Sequence, residues 1–148
     1  MPTKKKTVKT RTLVAKDIMT KHMFTLRADS ALQEAIRLFV ENHVSAAPVF
    51  GTGGEPVGVL TKTDIARYEW ERRGFKTEEP RPAPEHADGE RVSRWMTPFV
   101  LSVEPDTAIV DVARAMVKNG VHHLFVKSDN RLLGVISSFD LLRVMSKA

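Results

Sequence analysis

With 148 residues, no cysteine and a formal net charge of +5, the chain has room for one compact domain or two small ones sharing a core, and it can form neither a disulfide nor a thiolate metal site. No apolar run approaches the ~18 residues of a membrane-spanning helix, and the basic start lacks the apolar stretch of a secretory signal, so a soluble cytoplasmic protein without membrane association is expected. The charge points to nucleic acid only until it is located: of 23 basic side chains, Lys4, Lys5, Lys6, Lys9 and Arg11 open the chain, leaving 18 against 18 acidic ones.

Residues 1–12 read as a solvated, disordered basic tail. It has no aromatic residue to stack on a base, so at most weak, salt-sensitive phosphate binding is expected of it. Residues 14–20 read as a short helical turn and residues 23–26 as an extended lead-in. Asp29 and Ser30 offer a helix cap, with Gln33 completing a capping box. The helix that follows places Leu32, Ala35, Ile36, Phe39 and Val40 on one face, which is predicted to be core, with Glu34, Arg37 and Glu41 turned away. A strand over residues 44–50, a loose hairpin turn over 51–56 and a second strand over 57–60 come next. Asp64 opens a helix through Trp70 that Gly74 ends. Over residues 77–90 the composition shifts to Glu, Pro, Ala, His and Asp, and Pro80, Pro82 and Pro84 predict an extended linker.

Beyond the linker the first half is written again. Met19 and Thr20 match Met96 and Thr97, Ser30 matches Thr107 and Val44 matches Val121, all at an offset of 77. Past a shorter turn at residues 128–131 the offset falls to 76, so Gly58-Val59-Leu60-Thr61-Lys62-Thr63-Asp64 returns as Gly134-Val135-Ile136-Ser137-Ser138-Phe139-Asp140. In the second helix Ile109, Val112, Ala113, Met116 and Val117 repeat the apolar stripe, with Gly120 just past its end. A repeat of about 60 residues is too long for a solenoid and describes a duplicated small domain. Domains are expected at 13–74 and 92–148, with the tail at 1–12 and the linker at 75–91.

The twice-written stretch reads as a buried strand running into the first turn of a helix, where unpaired N–H groups and the dipole favour a phosphate. A hydroxyl at Thr61 or Ser137 adds a donor. The aspartate one turn on, Asp64 or Asp140, can accept from both hydroxyls of a ribose. Either copy alone reads as an N-cap with its dipole-complementing acid; the duplication favours a ribonucleotide site. No Ser/His/Asp arrangement, paired carboxylate or glycine-rich phosphate loop appears, so neither an enzyme nor a cofactor is expected.

The set Asp17-Ile18-Met19-Thr20, Ser30-Ala31-Leu32-Gln33-Glu34-Ala35, Val44-Ser45-Ala46-Ala47-Pro48-Val49 and Gly58 to Asp64, with its second copy at Trp95-Met96-Thr97-Pro98, residues 121–126 and residues 134–140, resembles the cystathionine-β-synthase (CBS) domain. The likeness covers roughly residues 13–146. It implies an α+β, or α/β, fold of two tandem β-α-β-β-α units packed through their sheets about a pseudo-twofold axis, a standalone Bateman module. It further implies adenosine ligands (AMP, ADP, ATP, S-adenosylmethionine or NAD-type compounds) in clefts between the copies, a homodimer, an energy-sensing regulatory role and a protein partner in trans.

Carried over by residue, one cleft uses Ser137 and Asp140 with Thr20, Thr25 and the strand Val44, Ser45 and Ala46, and His122 or His123 reaches the phosphate. The other uses Thr61 and Asp64 with Thr97, Ser102, Val121, His122 and His123. Thr63 offers a hydroxyl that Phe139 lacks, so the clefts are expected to differ. Adjacent strand residues point to opposite faces, so His122 and His123 do not share a metal; one sits at a cleft mouth or packs at the interface. The alternative class is a ligand-independent scaffold that meets nucleic acid through its basic arm.

Overall fold

The computed structural model describes residues 12–73 and 89–148; the tail up to Arg11, Gly74 as the expected helix end, and residues 75–88 of the expected linker lie outside these. In chain order the elements are α1 (Ala15–Ile18), β1 (Leu26–Arg27), α2 (Leu32–Asn42), β2 (Ala46–Phe50), β3 (Pro56–Thr61), α3 (Lys62–Arg72), α4 (Val92–Trp95), β4 (Ser102–Val103), α5 (Ile109–Asn119), β5 (His123–Ser128), β6 (Arg131–Ser137) and α6 (Ser138–Ser146). They gather into two compact units: residues 12–22 with Leu101–Ala148, and Met23–Val100.

Each unit is built on a three-stranded sheet, β1-β2-β3 in one and β4-β5-β6 in the other. The first two strands run parallel, joined by an 11-residue helix, because a parallel pair cannot be closed by a tight turn. The last two form an antiparallel hairpin. The second hairpin turns on Asp129 and Asn130, both left-handed at φ 48° and 64°, the pair of conformations that a two-residue turn between twisted strands requires.

Leu32, Ala35 and Phe39 of α2 bury against Ala47, Val49, Leu60, Tyr68 and Trp95 in one core, and Val112 and Met116 of α5 against Ala15, Leu124, Val126 and Ile136 in the other. Each of the Val, Leu, Ile, Phe and Met side chains among these contributes roughly 1.5–3 kcal/mol by leaving water. The apolar stripes are narrower than expected. Val40 and Val117 are 70% and 84% exposed, since each lies about 80° round the helix from Leu32 or Ile109 at 3.6 residues per turn, beyond the arc that meets the sheet.

A second expectation is also corrected. The capping box at Ser30 and Gln33 does not form; Ala31 is the N-cap of α2 and caps with no side chain. The backbone of the chain entering α4 does that work, Leu32 N donating to Glu90 O at 2.8 Å while Val92 N donates to Ser30 O at 3.0 Å.

Each short lead-in packs in the unit of the other sequence copy. Thr20 exchanges two backbone hydrogen bonds with Val135 at 2.9 and 3.0 Å, and Thr97 exchanges two with Val59 at 2.8 and 3.0 Å. The glycine of the repeated motif makes this possible. A Cβ on Gly58 would collide with the Thr97 carbonyl oxygen and come within 2.8 Å of Met96 Sδ; on Gly134 it would lie 2.7 Å from Met19 Sδ and 2.9 Å from Thr20 O. Both are glycine for close approach of another strand, without a positive φ.

Candidate functional site

In the unit of residues 23–100, β3 runs straight into α3, and Thr61 is the N-cap. Its Oγ1 accepts from Asp64 N at 3.2 Å, while Thr61 N and Oγ1 both donate to Asp64 Oδ2 at 2.9 and 3.0 Å. Asp64 is 7% exposed, and this reciprocal box is what makes a buried carboxylate tolerable. With two donors already on Oδ2, the lone pairs left for a ligand are on Oδ1. That oxygen faces Arg67, 3.8 Å away.

The other unit repeats the arrangement on Ser137 and Asp140. Ser137 N donates to Asp140 Oδ2 at 2.8 Å, Asp140 N donates to Ser137 Oγ at 3.2 Å, and Arg143 stands 3.6 Å from Oδ1. Thr61 has its hydroxyl proton committed to Asp64, whereas the Ser137 proton has no such acceptor among the described residues. The two sites thus differ in what the hydroxyl can offer a phosphate.

Both helix starts are arranged alike for an anion. Lys62 N is held by Ser45 O at 3.0 Å and Ser138 N by His122 O at 2.9 Å. The third N–H of each helix is taken by the capping hydroxyl. The amides of Thr63 and Phe139 have no acceptor among the described residues and lie at the positive end of each helix dipole. A backbone amide is independent of side chain, so Phe139 supplies the same donor as Thr63 even though it lacks the hydroxyl.

Thr20 joins Ser137 and Asp140 in one unit, and Thr97 joins Thr61 and Asp64 in the other. Thr25, Val44, Ser45 and Ala46 fall in the unit of Asp64; Ser102, Val121, His122 and His123 fall in that of Asp140. Register sets Ala46 opposite Thr61 and His123 opposite Ser137, so each helix start is flanked by the strand of its own copy. Val121 is half-buried, its N–H bonded to Met116 O at 3.0 Å, while Thr25 and Ser102 are exposed.

His123 is held below the ordinary imidazole range, chiefly by burial and then by His122, with Asp140 opposing both. Burial thus favours its neutral form, and a phosphate arriving beside it would draw it toward protonation. Among the described residues no cluster of His, Cys, Asp or Glu could hold a metal, and no helix is long and apolar enough to cross a membrane.

Two features escaped the sequence reading. Arg67 and Arg143 stand three residues after each aspartate, at the same offset of 76 as the rest of the motif, so their signal was the repeat itself. Glu90 was assigned to the linker, yet its carbonyl oxygen closes the start of α2 and its carboxylate accepts from Trp95 Nε1 at 3.2 Å.

The family profile of the CBS domain matches residues 15–71 and 92–147. The uncharacterized protein MJ1225 of Methanocaldococcus jannaschii is 28% identical over 130 residues, a match covering 88% of this chain and 42% of MJ1225, so the chain spans less than half of that relative. Among solved structures, the CBS domain pair of the protein MJ0100, in complex with 5′-methylthioadenosine and S-adenosyl-L-methionine, superposes with a TM-score of 0.75 at 22% identity, covering 91% of this chain and 97% of that one. CBSX2 in complex with AMP gives a TM-score of 0.73 at 23% identity, covering 90% and 96%. With both sequence copies matched and the fold shared with CBS domain pairs, the chain belongs to the CBS-domain family.

Proposed function

We propose that this chain is a regulatory sensor that binds an adenosine ligand (AMP, ADP, ATP or an adenosyl compound) at the α3 and α6 helix starts and carries out no chemistry of its own. The observation that carries this reading is the twice-built aspartate. Asp64 and Asp140 each spend one carboxylate oxygen, Oδ2, on the cap and leave Oδ1, which an arginine faces, for a ligand, one residue after the Thr63 or Phe139 amide at the helix N-terminus. That spacing offers acceptors to ribose hydroxyls and a donor to a phosphate on the same molecule. The ligands of the MJ0100 pair and of CBSX2 are of this class.

Signalling then follows from linkage. A ligand that prefers one conformation of the chain shifts the population toward it by its differential affinity, and a partner that reads the same conformation responds.

Thermal unfolding with AMP, ADP, ATP, S-adenosylmethionine and NAD in separate samples tests the reading. A ligand at 100 times its Kd stabilises by ~2.7 kcal/mol, and each kcal/mol moves the midpoint by about 2–4 °C for a chain of this size. The expected result is a clear upward shift with at least one adenosine compound. No shift with any of them, in nucleotide-free protein that unfolds cooperatively, overturns it.

A further inference from the structure

We propose that Arg67 is a positioning residue that couples occupancy of the Asp64 site to the segment around Trp95; the inference rests on the adenosine reading above. The Arg67 guanidinium touches three things at once. It lies 3.8 Å from Asp64 Oδ1, donates through Nη2 to the Trp95 carbonyl oxygen at 3.1 Å, and sits 5.6 Å from the centroid of the Trp95 ring. Trp95 is 8% exposed and meets Tyr68 edge to face, ring centroids 5.1 Å apart. Its Nε1 donates to Glu90, whose carbonyl oxygen accepts from Leu32 N at the start of α2. A continuous chain of polar and ring contacts therefore runs from Asp64 Oδ1 to the first turn of α2.

Asp64 makes this chain sensitive to a ligand. Because Oδ2 already accepts two hydrogen bonds, ribose hydroxyls must be accepted by Oδ1, the oxygen that Arg67 faces. Hydroxyls arriving there compete with the guanidinium, which is half exposed, and its withdrawal from Oδ1 changes the charge beside the Trp95 ring. The second unit lacks the relay. Arg143 stacks on Phe139 of its own helix, 5.1 Å from the ring centroid, and the position matching Trp95 is Ile18. The two sites are thus wired differently: only the Asp64 site addresses a lead-in helix through an indole.

The test uses the full chain carrying Trp70→Phe, so that Trp95 is its sole indole, and Asp140→Asn, so that the Asp64 site is followed alone. AMP is titrated with parallel readouts of heat and tryptophan emission. The expected result is a saturable change in Trp95 emission whose midpoint coincides with the calorimetric one. Adding Arg67→Gln should keep AMP binding and abolish the emission change, and Arg67→Lys, which restores a cation near the ring, should recover part of it. Heat without an emission change, or an undiminished emission change with Arg67→Gln, overturns the relay while leaving the binding site standing. Absence of any heat with the native chain as well overturns the adenosine reading and the relay with it.

Discussion

Gly58 and Gly134 show what a single missing methyl group does here. Their backbones lie against Thr97 and Thr20, and the space a Cβ would need is filled by backbone oxygen and methionine sulfur. The two obstacles are unequal. At Gly58 the nearest atom is a carbonyl oxygen fixed in a β-bridge, while at Gly134 it is the far end of the flexible Met19 side chain. Overpacking of this kind costs about 1–3 kcal/mol, so Gly58→Ala should lie toward the upper end and Gly134→Ala should be the milder change. Chemical denaturation of the two variants checks the order, and equal stability to the parent at Gly58 would contradict the close approach. The repeated glycine was visible in the sequence, and so were the hydroxyl and the aspartate. Invisible were the division of labour between the carboxylate oxygens and the capture of the Thr61 proton, which depend on rotamers that residue identity does not specify.

At the scale of elements the clearest contrast is between the ends of α2 and α5. Both helices close on a left-handed residue, but Gly120 fills that position after α5 (φ 61°) and His43 after α2 (φ 54°). Glycine adopts this conformation without the steric penalty that a Cβ brings. His43→Gly should therefore stabilise the chain by about 1 kcal/mol, less the extra freedom it gives the unfolded state. The unfolded-state term offsets about 0.4–1 kcal/mol of that gain, so a rise of no more than about 2 °C in Tm is the expected outcome; a fall would mean that the imidazole is engaged in holding that turn. The end of α5 was legible from its glycine, whereas α2 carried no such mark. The starts of α3 and α6 were equally legible, because hydroxyl and acid sit at capping-box spacing within the same turn. Ser30 and Gln33 have similar spacing yet form no box: Ser30 N donates to Arg27 O at 3.1 Å, and the helix begins one residue later with Ala31 as its N-cap.

For the whole molecule, duplication was the feature the sequence displayed most fully, and from it followed two sheets of the same order and two helix starts of the same chemistry. The path of the chain did not follow from it. The lead-in at Met19-Thr20 could have met the glycine of either copy, because Gly58 and Gly134 sit in closely similar local sequence; the structure seats it on Gly134 and seats Met96-Thr97 on Gly58. The compact units therefore divide the chain after His22 and after Val100, each completed by the other copy's lead-in.

The adenosine reading stands on two aspartates in separate units, and calorimetric titration of AMP into the parent chain, Asp64→Asn, Asp140→Asn and the double variant tests it most directly. Asparagine can still accept the cap hydrogen bonds, so the helices should persist while the charge offered to the ribose is lost. The account predicts that each single change weakens one site by at least about tenfold, on the order of 1.4 kcal/mol, and leaves the other, while the double variant weakens both. Unaltered binding in a double variant that still unfolds cooperatively would contradict it.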